Sequence, residues 1–208
     1  MHLSQLYIDW KMAKNPYELH RAIWELFPDR AEDIRDFLFR VEVLEPNKGA
    51  RVLMLSQSAP VQRSEHSQVL AIRDWAPMFA KGQRLRFRLR ANPVKSVADD
   101  SKGIKTGNNG KQYAKRARVP LIHEEQQQAW LERKLESAAM LEQLVIQREV
   151  PLWFSKANGK QRMAGKVQPV LFDGVLEVKE PQALLECLQK GVGPAKSFGC
   201  GLLSLAIA

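Results

Sequence analysis

The chain has 208 residues, of which 45% are hydrophobic and 26% charged, and its formal net charge is +9. These are ordinary values for a globular protein, so we expect one large domain or two small ones with a hydrophobic core. We expect a cytoplasmic protein, because no stretch approaches the ~20 consecutive apolar residues of a membrane span and two cysteines, Cys187 and Cys200, are too few for a disulfide framework.

The first half of the chain has the pattern of a ferredoxin-like unit. A helix over residues 16–28 begins at Asn15, which can cap it, and has Pro16 at the first helical position. A weaker helix is predicted around residues 66–76. Alternating apolar residues predict strands over residues 2–9, 37–43, 51–56 and 85–90. The resulting order, β-α-β-β-α-β, is that of the split βαβ unit.

The same order recurs after a polar loop at residues 97–114. Strands are predicted over 118–122, 144–154, 167–178 and 202–207, and helices over 124–140 and 181–190. The expected fold class is α+β, with two tandem ferredoxin-like (RRM-like) βαββαβ domains. The expected domain boundaries are 1–92, a basic linker at 93–116, and 117–208.

The positive charge is concentrated in one segment. Residues 81–118 carry 12 Lys and Arg against 2 acidic residues, whereas the remainder of the chain is nearly neutral. Such focusing is expected of a polyanion-binding surface, because each contact to a phosphate releases counterions. A basic loop without a partner would give the same composition.

Within this segment, four arginines alternate with apolar residues and should share one face of a strand. They are Arg84, Arg86, Arg88 and Arg90, spaced at roughly 6.6 Å, which is close to the spacing of successive phosphates. The alternative is an exposed face that only protects a sheet edge. The basic surface is expected to continue through Lys95, Lys102, Lys105, Lys115, Arg116 and Arg118.

Two further segments could add to this polyanion-binding surface. A cluster without acidic residues lies between two predicted strands and comprises Lys156, Lys160, Arg162 and Lys166. It could bind phosphates, or it could be a solvated hairpin tip. The glycine-rich segment 191–201 is not a nucleotide-binding P-loop, because Ala195 precedes Lys196 where a glycine is required. Its glycines would still let Lys196 and Ser197 approach an RNA backbone.

Helical geometry separates His20 from the core. Successive residues advance by about 100°, which places Leu19 and Ile23 toward the sheet and His20 on the other side, beside Tyr17 and Arg21. Histidine can transfer a proton at physiological pH, as RNA self-cleavage requires. An inert surface histidine is the alternative.

Neither a metal nor a cofactor is expected. His2, His20, His66 and His123 do not have the spacing of metal ligands, and Asp99 and Asp100 are adjacent in a loop with no third acid nearby. We therefore expect any reaction that this protein carries out to proceed without metal.

Five motifs in one order resemble the CasE (Cse3) family, a subunit of the type I-E CRISPR Cascade complex. They lie at residues 17–28, 36–42, 86–95, 118–122 and 191–205 and together span nearly the whole chain. The resemblance implies the tandem ferredoxin-like fold and an endoribonuclease that cleaves precursor CRISPR RNA at the base of each repeat hairpin. It also implies retention of the product within Cascade, and we expect a monomer when the protein is free.

The resemblance also implies a mechanism. The 2′-hydroxyl of the substrate attacks the adjacent phosphate and leaves a 2′,3′-cyclic phosphate and a 5′-hydroxyl. His20 would transfer a proton and Tyr17 would position the reacting groups, but the sequence does not decide which proton His20 moves. A non-catalytic RNA-binding subunit and a metal-dependent nuclease are the competing interpretations.

Overall fold

The structure is a computed structural model, and it describes residues 1–28, 35–99, 101, 103–106, 110–158 and 161–208. For residues 156–158 and 161–163 it describes the backbone alone. No helix in these ranges is long and apolar enough to cross a membrane. The α-helices are α1 (Trp10–Ala13), α2 (Pro16–Trp24), α3 (Glu124–Leu135) and α4 (Pro181–Lys190).

The first unit is built on a four-stranded antiparallel sheet. Its strands are β1 (His2–Asp9), β2 (Phe37–Glu45), β3 (Gly49–Ser56) and β4 (Ser67–Asp74), in the order β2-β3-β1-β4. Helix α2 packs its apolar side on this sheet. The predicted strands at 2–9, 37–43 and 51–56 are therefore confirmed, and the last two pair as an antiparallel hairpin.

The predicted helix around residues 66–76 is wrong, because this segment is β4. It pairs with β1 along its whole length, with Ser67 opposite Ile8 and Asp74 opposite His2. Only Ser67 and Val69 are buried, so the strand leaves little alternation in the sequence. Pairing with the free edge of β1 satisfies the backbone groups of both strands and outweighs the local preference.

The second sheet contains the arginine-rich strand. Its strands are β5 (Arg84–Ala91), β10 (Ala139–Arg148), β13 (Val170–Val178) and β14 (Leu203–Ile207), in the order β10-β13-β5-β14. With α3 and α4 they form a complete βαββαβ unit in chain order. Both sheets thus share one strand order, which is the ferredoxin-like order.

The position of β5 corrects the predicted assignment of strands to units. We predicted it as the last strand of the first unit, and residues 118–122 as the first strand of the second. Instead β4 occupies the edge of the first sheet, and β5 is the first strand of the second. The strands of the first sheet end at Asp74 and those of the second begin at Arg84.

Three two-stranded ribbons complete the described structure. The predicted polar loop at 97–114 contains a short hairpin, and the predicted strand 118–122 lies largely in a ribbon rather than in a central sheet. The predicted strand 144–154 is divided between β10 and the start of a separate hairpin. The ribbons pair β6 (Val94–Ala98) with β9 (Arg116–Pro120), β7 (Ile104–Thr106) with β8 (Gln112–Ala114), and β11 (Leu152–Asn158) with β12 (Gln161–Val167).

Each unit has its own hydrophobic core. Leu6, Ile8 and Ile23 are fully buried in the first core, and Leu89 and Phe172 are fully buried in the second. Burial of each such side chain contributes roughly 1.5–3 kcal/mol to folding. The two cores keep α2 and β5 in fixed positions within their units.

Arg40 links the two units. Its side chain is 5% exposed, and its Nε lies 2.7 Å from Glu42 Oε1. Its Nη1 donates to the backbone oxygens of Arg88 at 3.3 Å and of Leu202 at 3.4 Å, in the second unit. Because a buried guanidinium must keep its partners, these bonds fix the first sheet against β5 and β14.

Candidate functional site

Helix α2 holds His20 at the edge of its buried face. Leu19 and Ile23 are buried, as the helical periodicity predicted. His20 is not turned away from the sheet as predicted: its half-buried ring lies 5.8 Å from the Phe37 ring and 6.1 Å from the Phe39 ring. The physical reason is that His20 is about 110° from the centre of the apolar stripe, where aromatic side chains of β2 can reach it.

Burial determines the protonation state of His20. Desolvation, and secondarily the charge of Arg35, lower the pKa of His20 to about 4. The ring is therefore neutral at physiological pH and able to accept a proton. Its Nε2 is buried and has no hydrogen-bond partner among the described residues. An unpaired buried nitrogen is costly, so it is a position that a substrate hydroxyl can satisfy.

Arg35 supplies a second unsatisfied group beside His20. Its guanidinium carbon lies 6.0 Å from the centroid of the Phe37 ring. Its Nη1 donates to Ser197 Oγ at 2.9 Å, whereas its Nε is buried and has no partner in the described part of the chain. Burial lowers the pKa of Arg35, but a guanidinium stays charged in proteins.

The glycine-rich segment packs against this pair. A 3₁₀ helix, Lys196–Phe198, begins after Ala195 at φ 63° and ends at Gly199 at φ 76°. A Cβ at Gly199 would lie 3.2 Å from the Phe39 ring, a tight contact, and φ 76° is a conformation that favours glycine. This close approach places Ser197 against Arg35. Arg35 therefore lies close to both Ser197 and His20.

The β11–β12 hairpin lies against the start of α2. Asn15 Nδ2 donates to the backbone oxygen of Ser155 at 3.2 Å, and the Phe154 and Phe198 rings are 4.3 Å apart. Lys166 lies on this hairpin with its amine 5.1 Å from the Trp153 ring. Lys156 and Arg162 belong to the hairpin strands by their backbones, and Lys160 lies outside the described residues.

Tyr17 and Arg21 lie one helical turn or less from His20. The backbone N–H of Tyr17 donates to the capping Asn15 side chain at 3.1 Å, which fixes the start of α2. Arg21 Nη1 is 2.9 Å from Glu18 Oε2 at the exposed surface. Tyr17 is half-buried, and Arg21 is exposed.

Most β5 arginines are paired with carboxylates, which corrects the expectation of a free phosphate-binding face. Distances are 2.7 Å for Arg84 to Glu142 and Arg88 to Asp173, and 2.6 Å for Arg90 to Glu149. Arg90 is also buried, with 8% of its surface exposed. The sequence pattern showed the arginines but not the acids, which come from β10, β13 and the residue after β10. Within the described ranges, Arg86 has no acidic partner and donates to the Ile207 oxygen at 3.2 Å.

The remaining predicted basic residues lie on the ribbons and are exposed. Arg116 donates to the Ser96 side chain and backbone at 2.8 and 2.7 Å. Lys102 lies outside the described residues. The other exposed members are Lys95, Lys105, Lys115 and Arg118. They form a basic surface on the β6–β9 and β7–β8 ribbons.

The described residues contain no group of three or more His, Cys, Asp or Glu that could hold a metal ion. Cys200 is buried, and desolvation raises its pKa to about 12, so it is an unreactive thiol. Cys187 is half-buried and also free, and its pKa is raised by burial.

Comparisons with known proteins assign the chain to a family. Residues 1–206 match the family described as "CRISPR associated protein". The CRISPR system Cascade subunit CasE of Escherichia coli K12 is 43% identical over 206 residues, which is 99% of each chain. The chain belongs to the CasE family. The CRISPR-associated endoribonuclease Cse3 of Thermus thermophilus is 36% identical over 213 residues, 92% of this chain and 90% of that protein.

Solved structures similar to this CasE-family chain support the same conclusion. Cas6e from E. coli K-12 superposes with a TM-score of 0.82 and 41% identity over 100% of both chains. T. thermophilus Cse3, bound to an RNA representing a pre-cleavage complex, superposes with a TM-score of 0.72 and 31% identity, covering 99% of this chain and 100% of that one. The predicted fold class of two tandem ferredoxin-like units is confirmed.

Proposed function

We propose that this CasE-family chain is an endoribonuclease that binds the repeat hairpin of precursor CRISPR RNA, cleaves it, and keeps the product as a Cascade subunit in the cytoplasm. Its T. thermophilus relative is named an endoribonuclease and has been solved with RNA in a pre-cleavage complex. Its E. coli relative is named a Cascade subunit.

One observation carries the assignment of the reaction to this site. His20 Nε2 and Arg35 Nε are both buried and unsatisfied in the described structure, and the charge of Arg35 acts on His20. A neutral base beside a fixed positive charge suits a reaction in which a hydroxyl loses a proton while negative charge builds on a phosphate. The glycine-rich segment and the β11–β12 hairpin adjoin this pair.

The chemistry follows from these positions. His20 accepts the proton of the substrate 2′-hydroxyl, whose oxygen attacks the adjacent phosphorus. The bond from phosphorus to the 5′-oxygen breaks, and that oxygen takes a proton from water. The hydroxide formed takes the proton that His20 accepted, giving a 2′,3′-cyclic phosphate, a 5′-hydroxyl and the neutral ring. Arg35 stabilises the charge on the phosphate oxygens, and Tyr17 positions the ribose. Because the nucleophile belongs to the RNA, the mechanism requires no metal to generate it.

The RNA-binding surface extends from this site in two directions. On one side it includes Lys156, Arg162 and Lys166 of the β11–β12 hairpin, with Lys160 between them in sequence. On the other it includes Lys196 and the exposed cations of the β6–β9 and β7–β8 ribbons. Most of these contacts would be to phosphates away from the cut, so cleavage would remove few of them and the product would stay bound.

The test is a cleavage assay with purified protein and repeat RNA in EDTA, followed by identification of the termini. We expect full activity, a 2′,3′-cyclic phosphate, and no cleavage of RNA with a 2′-deoxy nucleotide at the cut. Loss of activity in EDTA together with cleavage of the deoxy substrate would identify a metal-dependent nuclease. Tight RNA binding without cleavage would identify a non-catalytic binding subunit.

A further inference from the structure

A basic cleft lies in the second unit, and Lys196 forms part of its lining. Its volume is about 520 Å³, and three cations line it, namely Arg118 from β9, Lys134 from α3 and Lys196 from the glycine-rich segment. Lys196 also lies close enough to Arg35 for the two charges to interact. The remaining lining residues are Val94, Trp130, Cys187, Gly191, Val192, Gly193 and Pro194.

The electrostatics of the basic cleft favour an anion. Among the described residues, none of those that line the cleft is acidic. Burial lowers the pKa of Lys196, and the charges of Arg35 and Lys134 lower it further, so these cations repel one another without a compensating carboxylate. The nearby carboxylate of Glu186 is 2.7 Å from Lys190 and is already paired. A bound phosphate would relieve this repulsion.

The shape of the basic cleft favours an extended chain. One wall is the backbone of the glycine-rich segment, which lies on Trp130: a Cβ at Gly193 would come within 2.8 Å of its ring. Gly193 has φ 81°, a conformation that glycine adopts readily. The volume falls in the range of pockets that hold small ligands, so the cleft can admit part of a single strand but not an RNA duplex.

We propose that the basic cleft binds the phosphodiester backbone of single-stranded RNA that adjoins the cleaved hairpin. The proposal rests on the proposed function and adds a second contact region to it. Lys196 connects the two regions, because it lines the cleft and lies close to Arg35 of the cleavage site. A strand leaving the cleavage site past Lys196 would meet Lys134 and Arg118 next.

The experiment compares two neighbouring residues of α3. Lys134→Gln removes a cleft cation, and Arg133→Gln removes an exposed cation that lines a different depression of the surface. Binding is measured by fluorescence anisotropy at several salt concentrations. The RNAs are repeat hairpins with a 2′-deoxy nucleotide at the cut, and they are either bare or carry a single-stranded 5′ or 3′ flank. Thermal denaturation checks that both variants are folded, and Arg118→Gln is the second cleft variant.

We expect wild type to bind one of the flanked hairpins more tightly than the bare one. Lys134→Gln and Arg118→Gln should both reduce that advantage by about tenfold and lower the salt dependence of flanked-hairpin binding by about one phosphate contact. Lys134→Gln, which lies outside the proposed hairpin surface, should leave bare-hairpin affinity unchanged. Arg133→Gln should change none of these values.

Three results would overturn the proposal. The first is that wild type binds flanked and bare hairpins with equal affinity. The second is that both cleft variants keep the wild-type affinity for the flanked hairpin. The third is that the variants keep their RNA affinity but no longer assemble into Cascade, which would make the occupant of the cleft a protein. Failure of the proposed function is distinguishable, because wild type would then leave cleavable repeat RNA intact while these affinities could still be measured.

Discussion

The arginines of β5 and the groups around His20 differ in whether their charges and polar atoms have partners. Arg84, Arg88 and Arg90 each contact a carboxylate, whereas His20 and Arg35 each keep a buried nitrogen without a described partner. Satisfied groups stabilise a fold, and unsatisfied buried groups are available for a substrate. Most arginines of the most conspicuous basic motif in the sequence are thus already paired, whereas the proposed site holds unpaired groups.

Removal of the imidazole should have the largest effect on the site. For His20→Ala we expect a loss of about 10³-fold in the single-turnover cleavage rate, the typical contribution of a general acid or base. Repeat-hairpin affinity should change by less than a few fold, because the ring is only one contact. Rapid-quench cleavage assays and anisotropy titrations measure the two quantities. Equal cleavage by variant and wild type would reject His20 as the proton-transfer group.

Removal of the neighbouring cation should have the next largest effect. Arg35→Ala should slow cleavage by about 10²-fold, because an aligned donor to developing charge is lost. Arg35→Lys should restore only part of the rate, since an ammonium lacks the planar fork. Arg35→Ala should also raise the pKa of His20, because the Arg35 charge lowers it.

Arg21→Ala is the matched control, since Arg21 is exposed and already paired with Glu18. It should retain nearly all cleavage activity. If Arg21→Ala and Arg35→Ala slowed cleavage equally, general electrostatics rather than a placed cation would explain the effect.

A single substitution can break the ion pair between Arg90 of β5 and Glu149. Glu149→Gln leaves the Arg90 guanidinium, whose side chain is 9% exposed, without its carboxylate. We expect a loss of about 3 kcal/mol in the free energy of unfolding, as for other broken buried pairs. Urea denaturation measures it, with Glu142→Gln as the control, since Glu142 pairs with the exposed Arg84. A larger loss in the control would contradict this account.

Parts of the fold were predictable because they depend on local pattern. The cap at Asn15 and the alternation of Leu85, Phe87 and Leu89 identified α2 and β5. The sheet that β5 joins was not predictable, because its alternation fits either sheet. That choice depends on β4, whose short apolar pattern did not mark it as a strand.

The site was predictable only in part for the same reason. The helical period placed Leu19 and Ile23 correctly, but the burial of His20 depends on Phe37 and Phe39, which come from β2. Arg35 gave no local signal at all. Its bond to Ser197 joins residues 162 positions apart, a contact that the tertiary fold alone creates.

The pH dependence of cleavage should show that His20 is buried. The rate requires the neutral ring, so it falls as pH drops through the pKa, which is about 4 here. Between pH 7 and 5.5 we expect a nearly constant cleavage rate at subsaturating enzyme. If His20 had the ordinary pKa near 6.5, the cleavage rate would fall about tenfold over the same range. A midpoint near 6.5 would mean that the ring is exposed before RNA binds.

The smallest expected effect concerns an exposed β5 arginine. Arg88 forms two bonds with Asp173, at 2.7 and 3.0 Å, with about half of its side chain exposed. Arg88→Gln should lower the free energy of unfolding by no more than about 0.5 kcal/mol, as for other surface pairs. It should weaken repeat-RNA binding by less than about twofold, since the donors of Arg88 are engaged.

Arg86→Gln is the matched comparison and should weaken binding more, because Arg86 has no acidic partner among the described residues. If Arg88→Gln weakened RNA binding as strongly as Arg86→Gln, the carboxylates of this sheet would not keep its arginines from phosphate, and the contrast with the His20 site would be lost.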